Sequence, residues 1–98
     1  DVYKRQSKEF AKDNITINCI LPERIATDRQ IGIINYQAKL ANITYEEALK
    51  IVEDDLPAKR MGKVEEISGI CAFLCSQQAA FITGQSISVD GGSSEYLL

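Results

Sequence analysis

Apolar residues recur along the chain with two different periods, and their arrangement predicts an alternation of helices and strands. Residues 15–21 are mostly apolar and rich in β-branched side chains, which predicts a strand that is buried on both faces, as in a parallel sheet. Pro22 ends this strand. Within residues 83–92, Ile87 and Val89 alternate with polar residues between two turn signals. This pattern predicts a second short, buried strand that ends in a glycine pair.

Outside these strands the apolar period is that of helices. Residues 7–14 predict the end of a helix, with Asn14 as its left-handed stop. Residues 23–42 carry a weaker pattern, which predicts a short helix without defined bounds. The sequence Thr44-Tyr45-Glu46-Glu47 is a capping box that opens a further helix. The apolar face of that helix consists of Tyr45, Ala48, Leu49 and Val52.

A last helix is predicted to begin at Val64-Glu65-Glu66, after a loop at residues 59–62, because carboxylates favour the positive end of the helix dipole. Its core-facing stripe consists of Ile67, Ile70, Cys71 and Leu74. The order is therefore helix end, strand, helical insertion, helix, strand, which predicts a right-handed parallel crossover unit. Two strands alone leave open edges and uncovered faces, so the chain is predicted to be the end of a larger α/β sheet.

Length and charge narrow the classes of function. The 98 residues allow at most one small domain, and 45% hydrophobic with 26% charged residues is ordinary for a soluble globular protein. A net charge of −3 without a basic stripe argues against nucleic-acid binding. The longest mostly apolar run, residues 67–74, is too short to cross a membrane. No signal peptide is visible, so we expect a cytoplasmic protein.

The three cysteines, Cys19, Cys71 and Cys75, give no disulfide framework because their number is odd. The chain contains no histidine, which excludes a Ser–His or Cys–His pair within it. No metal site is predicted, since the cysteines lack further ligands. We interpret all three as buried, small apolar side chains.

Residues 1–6, Asp-Val-Tyr-Lys-Arg-Gln, match the translation of GAT-GTG-TAT-AAG-AGA-CAG, an end sequence used in transposase-based sequencing libraries. Our hypothesis is that they are translated adapter and that the natural sequence begins near Ser7. Tyr3 and Lys4 then carry no function. Re-amplification of the gene from source DNA tests this, and an uninterrupted frame encoding the same six residues would exclude it.

Four motifs in one order resemble the short-chain dehydrogenase/reductase (SDR) family of NAD(P)-dependent oxidoreductases. Residues 15–22 resemble its I-x-V-N-x-I-x-P strand, and residues 22–27 have the spacing of its P-G-x-x-x-T segment. Residues 60–66 resemble its R-x-G-x-P-E-E loop, and residues 82–92 resemble its closing ITGQ-x-I-x-VDGG strand. The resemblance implies the C-terminal portion of a doubly wound, parallel-sheet Rossmann fold, with residues 7–98 in one domain and residues 28–56 as the substrate-binding lobe.

The resemblance also implies a site for the nicotinamide end of NAD or NADP in the full-length parent protein. By position, the Ile25 backbone would bind the carboxamide, the Thr27 hydroxyl would reach the carboxamide or the pyrophosphate, and Pro22 would shape the turn. Ligands of such sheets do bind beyond the carboxyl ends of the strands. The alternative is that Thr27 only caps the next helix. Glu23 replaces the family's glycine, which permits backbone conformations and a close ligand approach that glutamate resists. Its carboxylate would also repel the phosphates of a dinucleotide if it points inward.

The family's catalytic Ser, Tyr and Lys and its glycine-rich pyrophosphate turn are not found in this chain, and no catalytic residue is assigned within it. We therefore expect the chain alone to be inactive, although its parent would reduce or oxidise a small carbonyl or hydroxyl substrate. The closest resemblance is to 3-oxoacyl-acyl-carrier-protein reductases; sugar, polyol and hydroxysteroid dehydrogenases share the same motifs.

Two further hypotheses remain, namely a non-enzymatic binding or assembly module of this family and a small, complete interaction domain. The resemblance also implies a homotetramer or homodimer of the parent through residues 64–98. The surface involved would include Ile82, Ile87 and the Tyr96-Leu97-Leu98 tail. Asp90 is interpreted as a turn-forming residue that bonds local amides.

Overall fold

Four helices and two strands form the regular structure of residues 2–94, the part of the chain that the computed structural model describes. The helices are α1 (Val2–Phe10), α2 (Asp28–Ala41), α3 (Tyr45–Asp54) and α4 (Val64–Leu74), and the strands are β1 (Cys19–Pro22) and β2 (Ser86–Val89). Short 3-10 turns lie at Ala11–Asp13 and Gln77–Ala79. The chain divides into two compact units, residues 2–21 with 65–89 and residues 22–64 with 90–94.

In the first unit, α1 ends as the sequence predicts. Asn14 has the left-handed backbone conformation, with φ of 59°, and its amide donates to the Ala11 carbonyl at 3.2 Å. Ser7 is the buried polar residue of this helix, and its hydroxyl donates to the Lys4 carbonyl at 2.6 Å. Because α1 begins at Val2, the helix includes residues 2–6 of the proposed adapter. Asp1 lies outside the described residues, and the adapter hypothesis stays a prediction.

β1 and β2 pair as parallel neighbours, but β1 begins later than predicted. Before Cys19, side-chain bonds interrupt the backbone pairing: the Gly84 amide donates to the Ile17 carbonyl at 2.8 Å, but the Ile17 amide donates to Thr83 Oγ1 at 3.0 Å. The side chain of Asn18 donates to the Ile82 carbonyl at 3.0 Å and accepts from the Gln85 amide at 3.1 Å. Residues 15–18 therefore lie beside the partner segment without forming strand, and the predicted bounds of 15–21 were wrong.

The prediction that both strands are buried was also wrong. In β1, Cys19 and Ile20 are half-buried and Leu21 is exposed. In β2, Ile87 and Val89 are half-buried and alternate with exposed serines, so the predicted period of two is confirmed. The reason is the number of layers, since the sheet of the described residues has two strands and too few helices to cover both faces.

α4 begins at Val64, as predicted, and has two acidic residues in its first turn, but it buries none of its residues. The interpretation of the cysteines as buried was wrong: Cys71 and Cys75 are exposed and Cys19 is half-buried. Both exposed thiols face a cavity of about 480 Å³ in the first unit. The stripe that carries them therefore lacks a covering layer within the described residues.

The second unit has a core between α2 and α3. Ile34 is 2% exposed, and with Ala38 and Ala48 it forms the buried cluster. The predicted capping box opens α3: the Glu47 amide donates to Thr44 Oγ1 and the Thr44 amide donates to Glu47 Oε1, both at 3.1 Å. The partly buried residues packed around the cluster are Ile43, Tyr45, Leu49, Val52 and Met61. Packing thus accounts for the predicted apolar face of α3.

The turn after β2 confirms the interpretation of Asp90. Its carboxylate accepts from the Gly92 amide at 2.9 Å and from the Ser94 amide at 3.0 Å. Gly91 and Gly92 have φ of 58° and 87°, which glycine adopts without a steric penalty. The Tyr96-Leu97-Leu98 tail that the sequence placed at an interface lies outside the described residues.

Candidate nicotinamide-binding segment

The segment that follows β1 is held by backbone hydrogen bonds to the loop that precedes α4. Ile25 and Gly62 form a parallel bridge: the Gly62 amide donates to the Arg24 carbonyl at 2.9 Å, and the Ala26 amide donates to the Gly62 carbonyl at 2.8 Å. Two of the four sequence motifs, residues 22–27 and residues 60–66, thus meet at this bridge.

The bridge leaves the backbone of Ile25 turned away from Gly62. In this parallel bridge, Gly62 is bonded by the two neighbours of Ile25, Arg24 and Ala26, and not by Ile25 itself. The N–H and C=O of Ile25 therefore point away from Gly62. The Ile25 carbonyl accepts from the Thr27 amide at 2.8 Å. Among residues 2–94, the Ile25 amide has no hydrogen-bond partner. Ile25 as a whole is 8% exposed, so this donor is held in a buried segment.

Thr27 caps α2, as the alternative interpretation proposed. Its Oγ1 accepts from the Gln30 amide at 3.3 Å, and its φ of −82° is that of an N-cap residue. A hydroxyl that accepts one hydrogen bond still has its own hydrogen to donate. Capping and ligand binding are therefore compatible at Thr27, and contact with a cofactor stays a prediction.

A cavity of about 340 Å³ brings together the three residues that the sequence assigned to the cofactor, Pro22, Ile25 and Thr27. Its remaining lining residues are Glu23, Arg24, Arg29 and Gln30. The two arginines were not singled out from the sequence. Their signal was available in the charged run around the proline-to-threonine segment, where two carboxylates, Glu23 and Asp28, and the two guanidinium groups flank Ile25 and Thr27.

The backbone of Glu23 has a conformation that a non-glycine residue adopts without strain. Glu23 is not among the residues with positive φ; the left-handed residue of this segment is its neighbour Arg24, with φ of 62°. A glycine at position 23 is therefore not required by the backbone, and the remaining objections to Glu23 are its charge and the volume of its side chain.

Other residues near this segment have structural roles or face solvent. Asn18 bonds the backbone of the neighbouring segment. In α2, Ile34 is a core residue, whereas Ile33 and Tyr36 are 39% and 64% exposed. Within residues 2–94 no group of three or more Cys, Asp or Glu residues could hold a metal ion. The helices in this described range are all too short or too polar to cross a membrane.

Comparison with known proteins supports the family resemblance. A family model described as Enoyl-(Acyl carrier protein) reductase matches residues 1–94. The chain is 42% identical over 90 residues to the NADPH-dependent reductase BacG of Bacillus subtilis, covering 92% of this chain and 35% of the relative. It is 37% identical over 90 residues to dehydrogenase/reductase SDR family member 4 of Oryctolagus cuniculus, covering 92% of this chain and 31% of the relative. The chain belongs to the SDR family.

Solved structures show that this SDR chain has part of the family's Rossmann fold. The L-sorbose reductase of Gluconobacter frateurii, solved with NADPH and L-sorbose, matches with a TM-score of 0.86 and 34% identity, covering 98% of this chain and 37% of that one. The SDR chain spans about a third of the length of the curated relatives it matches. Its two parallel strands and their helices are thus part of a larger α/β architecture.

Proposed function

We propose that the chain is the C-terminal part of an NADP(H)-dependent SDR reductase that moves a hydride between a nicotinamide and a carbonyl compound. The observation that carries the proposal is the unpaired amide of Ile25, held by the Gly62 bridge in the same cavity as Thr27. NADP(H) is favoured over NAD(H) because BacG is an NADPH-dependent reductase and the L-sorbose reductase was solved with NADPH.

The described residues fit the carboxamide of a nicotinamide. The Ile25 amide is a donor without a partner, and the Ile25 carbonyl, which accepts from Thr27, has a second lone pair for the carboxamide nitrogen. Thr27 donates its hydroxyl while it continues to cap α2. Pro22 fixes φ at the start of the segment. These residues orient the ring, and the reduced nicotinamide supplies the hydride when it is bound.

The substrate and the catalytic residues are further parts of the proposal. For a 3-oxoacyl-acyl-carrier-protein substrate, the support is the acyl-carrier-protein part of the family description, Enoyl-(Acyl carrier protein) reductase; the 3-oxo group itself is our proposal. A sugar or polyol substrate is the second candidate, supported by the likeness to L-sorbose reductase. The general acid and its partners, Tyr-x-x-x-Lys and Ser, would come from the coding sequence upstream, so the 98-residue chain alone would not catalyse the reaction.

The test begins with the complete gene, recovered from source DNA and expressed as the full-length protein. We expect an intact Tyr-x-x-x-Lys sequence upstream of Ser7 and oxidation of NADPH in the presence of carbonyl compounds. A broken Tyr-x-x-x-Lys sequence together with normal NADPH binding would support the non-enzymatic module instead. Absence of NADPH binding would contradict the proposal.

Substitutions at Thr27 separate cofactor binding from helix capping. Thr27→Ser keeps both the cap and the hydroxyl, Thr27→Asn keeps a capping acceptor but not the hydroxyl, and Thr27→Val keeps neither. We expect Thr27→Asn to unfold like the wild type but to bind NADPH about tenfold more weakly, as the loss of a hydrogen bond to a polar ligand implies. Because the asparagine amide can itself donate a hydrogen bond, only wild-type NADPH affinity in both Thr27→Asn and Thr27→Val would show that Thr27 is only a cap.

Self-association through residues 64–98 is the remaining part of the proposal. It is supported by Phe81, which is fully exposed, and by Ile82 and Ile87, which are half-buried, because large exposed apolar side chains mark interaction surfaces. Phe81→Ser should lower the mass of the full-length protein in light scattering. Phe10→Ser, at a partly exposed phenylalanine outside residues 64–98, is the control and should leave that mass unchanged.

A further inference from the structure

Arg24 and Arg29 are the charged residues of the site that the proposed function does not use. Both line the cavity that holds Ile25 and Thr27. Neither guanidinium forms a hydrogen bond or an ion pair with any of residues 2–94. Glu23 is the single carboxylate among the lining residues of this cavity, so the two arginines leave it with a net positive charge.

The backbone at Arg24 is unfavourable for an arginine. Its φ of 62° is left-handed, a conformation that costs a non-glycine residue about 1–2 kcal/mol. Its carbonyl is held in place by the Gly62 amide at 2.9 Å. Residues kept in such conformations are concentrated at functional sites. Arg24 also lines a second cavity of about 420 Å³ with Asp54 and Asp55, yet it forms an ion pair with neither.

Arg29 occupies a position that is unfavourable for a different reason. It is the second residue of α2, which begins at Asp28 after the Thr27 cap. The amino end of a helix is its positive end, where a cation is disfavoured. Two cations at locally unfavourable positions therefore line one cavity. Residues that conflict with local backbone or helix-dipole preferences are expected mainly at functional sites.

We infer that Arg24 and Arg29 form a subsite for an anionic group, a carboxylate or a phosphate, on the carbonyl substrate. Guanidinium groups present parallel N–H donors that match the oxygen atoms of both anions. Arg24 is the neighbour of Ile25, which the proposed function assigns to the carboxamide, so the charge lies at the reacting end of the cofactor. The inference rests on that proposed function, and it narrows the substrate class to anionic carbonyl compounds.

The test measures the binding of ketones to the full-length protein loaded with NADP⁺, a complex in which a ketone binds without turnover. Two matched pairs of probes differ in charge: acetoacetate with methyl acetoacetate, and dihydroxyacetone phosphate with dihydroxyacetone. The variants are Arg24→Gln and Arg29→Gln. Lys39→Gln is the control, because Lys39 is an exposed cation of the same helix that does not line the cavity.

We expect the wild type to bind at least one anionic ketone more tightly than its neutral partner. Each arginine variant should bind that anionic ketone about tenfold more weakly, which is the loss expected for one charge-assisted hydrogen bond. Its affinity for the neutral ketone should be unchanged. Lys39→Gln should change neither. The inference would be overturned if the wild type preferred neither anionic ketone. It would also be overturned if the arginine variants lost affinity equally for the charged and the neutral ketone of a pair.

A separate titration of NADP⁺ identifies the source of the anion. If Arg24→Gln and Arg29→Gln lower the affinity for NADP⁺ but keep the preference for the anionic ketone, the arginines bind the phosphates of the cofactor. The inference is then wrong. Failure of the wild type to bind NADP⁺ at all would instead contradict the proposed function. The two failures are therefore distinguishable.

Discussion

Ser7 and Gly84 approach each other so closely that position 84 has no room for a side chain. A Cβ atom built on Gly84 would lie 2.7 Å from the Ser7 hydroxyl oxygen. That oxygen cannot easily move, because Ser7 is 2% exposed and its hydroxyl donates to the Lys4 carbonyl. Gly84 also has φ of 73°, so its lack of a side chain matters for two reasons.

We expect Gly84→Ala to lower the free energy of unfolding by about 2–4 kcal/mol, from the cost of a left-handed alanine together with the steric overlap. Urea unfolding of the full-length protein measures this. The control is Gly69→Ala in α4, where an added Cβ meets nothing within 4 Å. That variant should be more stable by about 0.5–1 kcal/mol, because alanine is the better helix former.

A double variant separates the two costs at Gly84. Replacing Ser7 by alanine removes the oxygen at 2.7 Å and leaves the Ser7 Cβ at 3.6 Å, an ordinary contact distance. Ser7→Ala with Gly84→Ala should therefore lose less stability than the sum of the two single variants. Strict additivity would show that the loss at Gly84 comes from backbone conformation alone.

The capping box of α3 gives a prediction confined to the second unit. Thr44→Ala should lower the free energy of unfolding by about 1 kcal/mol, since it leaves the Glu47 amide without its acceptor. Thr44→Ser and Glu47→Gln preserve the reciprocal bonds and should remain close to the wild type. Glu46→Gln is the matched control, because that carboxylate lies in the same turn without a bond to the Thr44 amide. Equal losses in Thr44→Ala and Thr44→Ser would contradict the assignment.

Features set by neighbouring residues were predicted from the sequence, and features set by distant partners were not. The Thr44–Glu47 box and the left-handed Asn14 depend on four or five adjacent residues, and both were found as predicted. The start of β1 was mispredicted because Asn18 bonds residues 64 and 67 positions away. The exposure of Cys71 depends on how many layers cover α4, which periodicity along one helix does not reveal.

In the candidate site, too, some features were predicted from the sequence and others depend on distant partners. Pro22, Ile25 and Thr27 were assigned by resemblance to a family motif, and the structure gathers them around one cavity. The left-handed backbone at Arg24 was not predictable, because it accompanies hydrogen bonds to Gly62, 38 positions further along the numbering (62 − 24). No residue type within the segment requires it.

The charge of Glu23 should weaken the binding of NADPH, whose phosphates are anionic. We expect Glu23→Gln and Glu23→Gly to bind NADPH about two- to fivefold more tightly at low salt, since an exposed charge at a few ångströms contributes up to about 1 kcal/mol in water. The advantage should disappear at high salt. Fluorescence titration of the full-length protein measures the dissociation constants, with Glu46→Gln as the control. A gain confined to Glu23→Gly would show that side-chain volume, not charge, limits binding.

Arg24 should show opposite effects on stability and on ligand binding. Arg24→Gly relieves the left-handed backbone and should raise the free energy of unfolding by about 1 kcal/mol. Arg24→Ala removes the same guanidinium but retains the backbone cost, so its stability should equal that of the wild type. Both variants should lose the preference for an anionic ketone, because both lack the charge.

The same substitution at the second arginine provides the control. Arg29 lies in helix α2, so Arg29→Gly should lower the free energy of unfolding by about 1 kcal/mol, the penalty of glycine in a helix. Urea unfolding and ketone titration on the same four proteins (the wild type and these three variants) measure both effects. A loss of stability in Arg24→Gly would mean that the arginine side chain stabilises the segment. The unfavourable backbone at Arg24 would then have a structural cause and would not indicate a ligand.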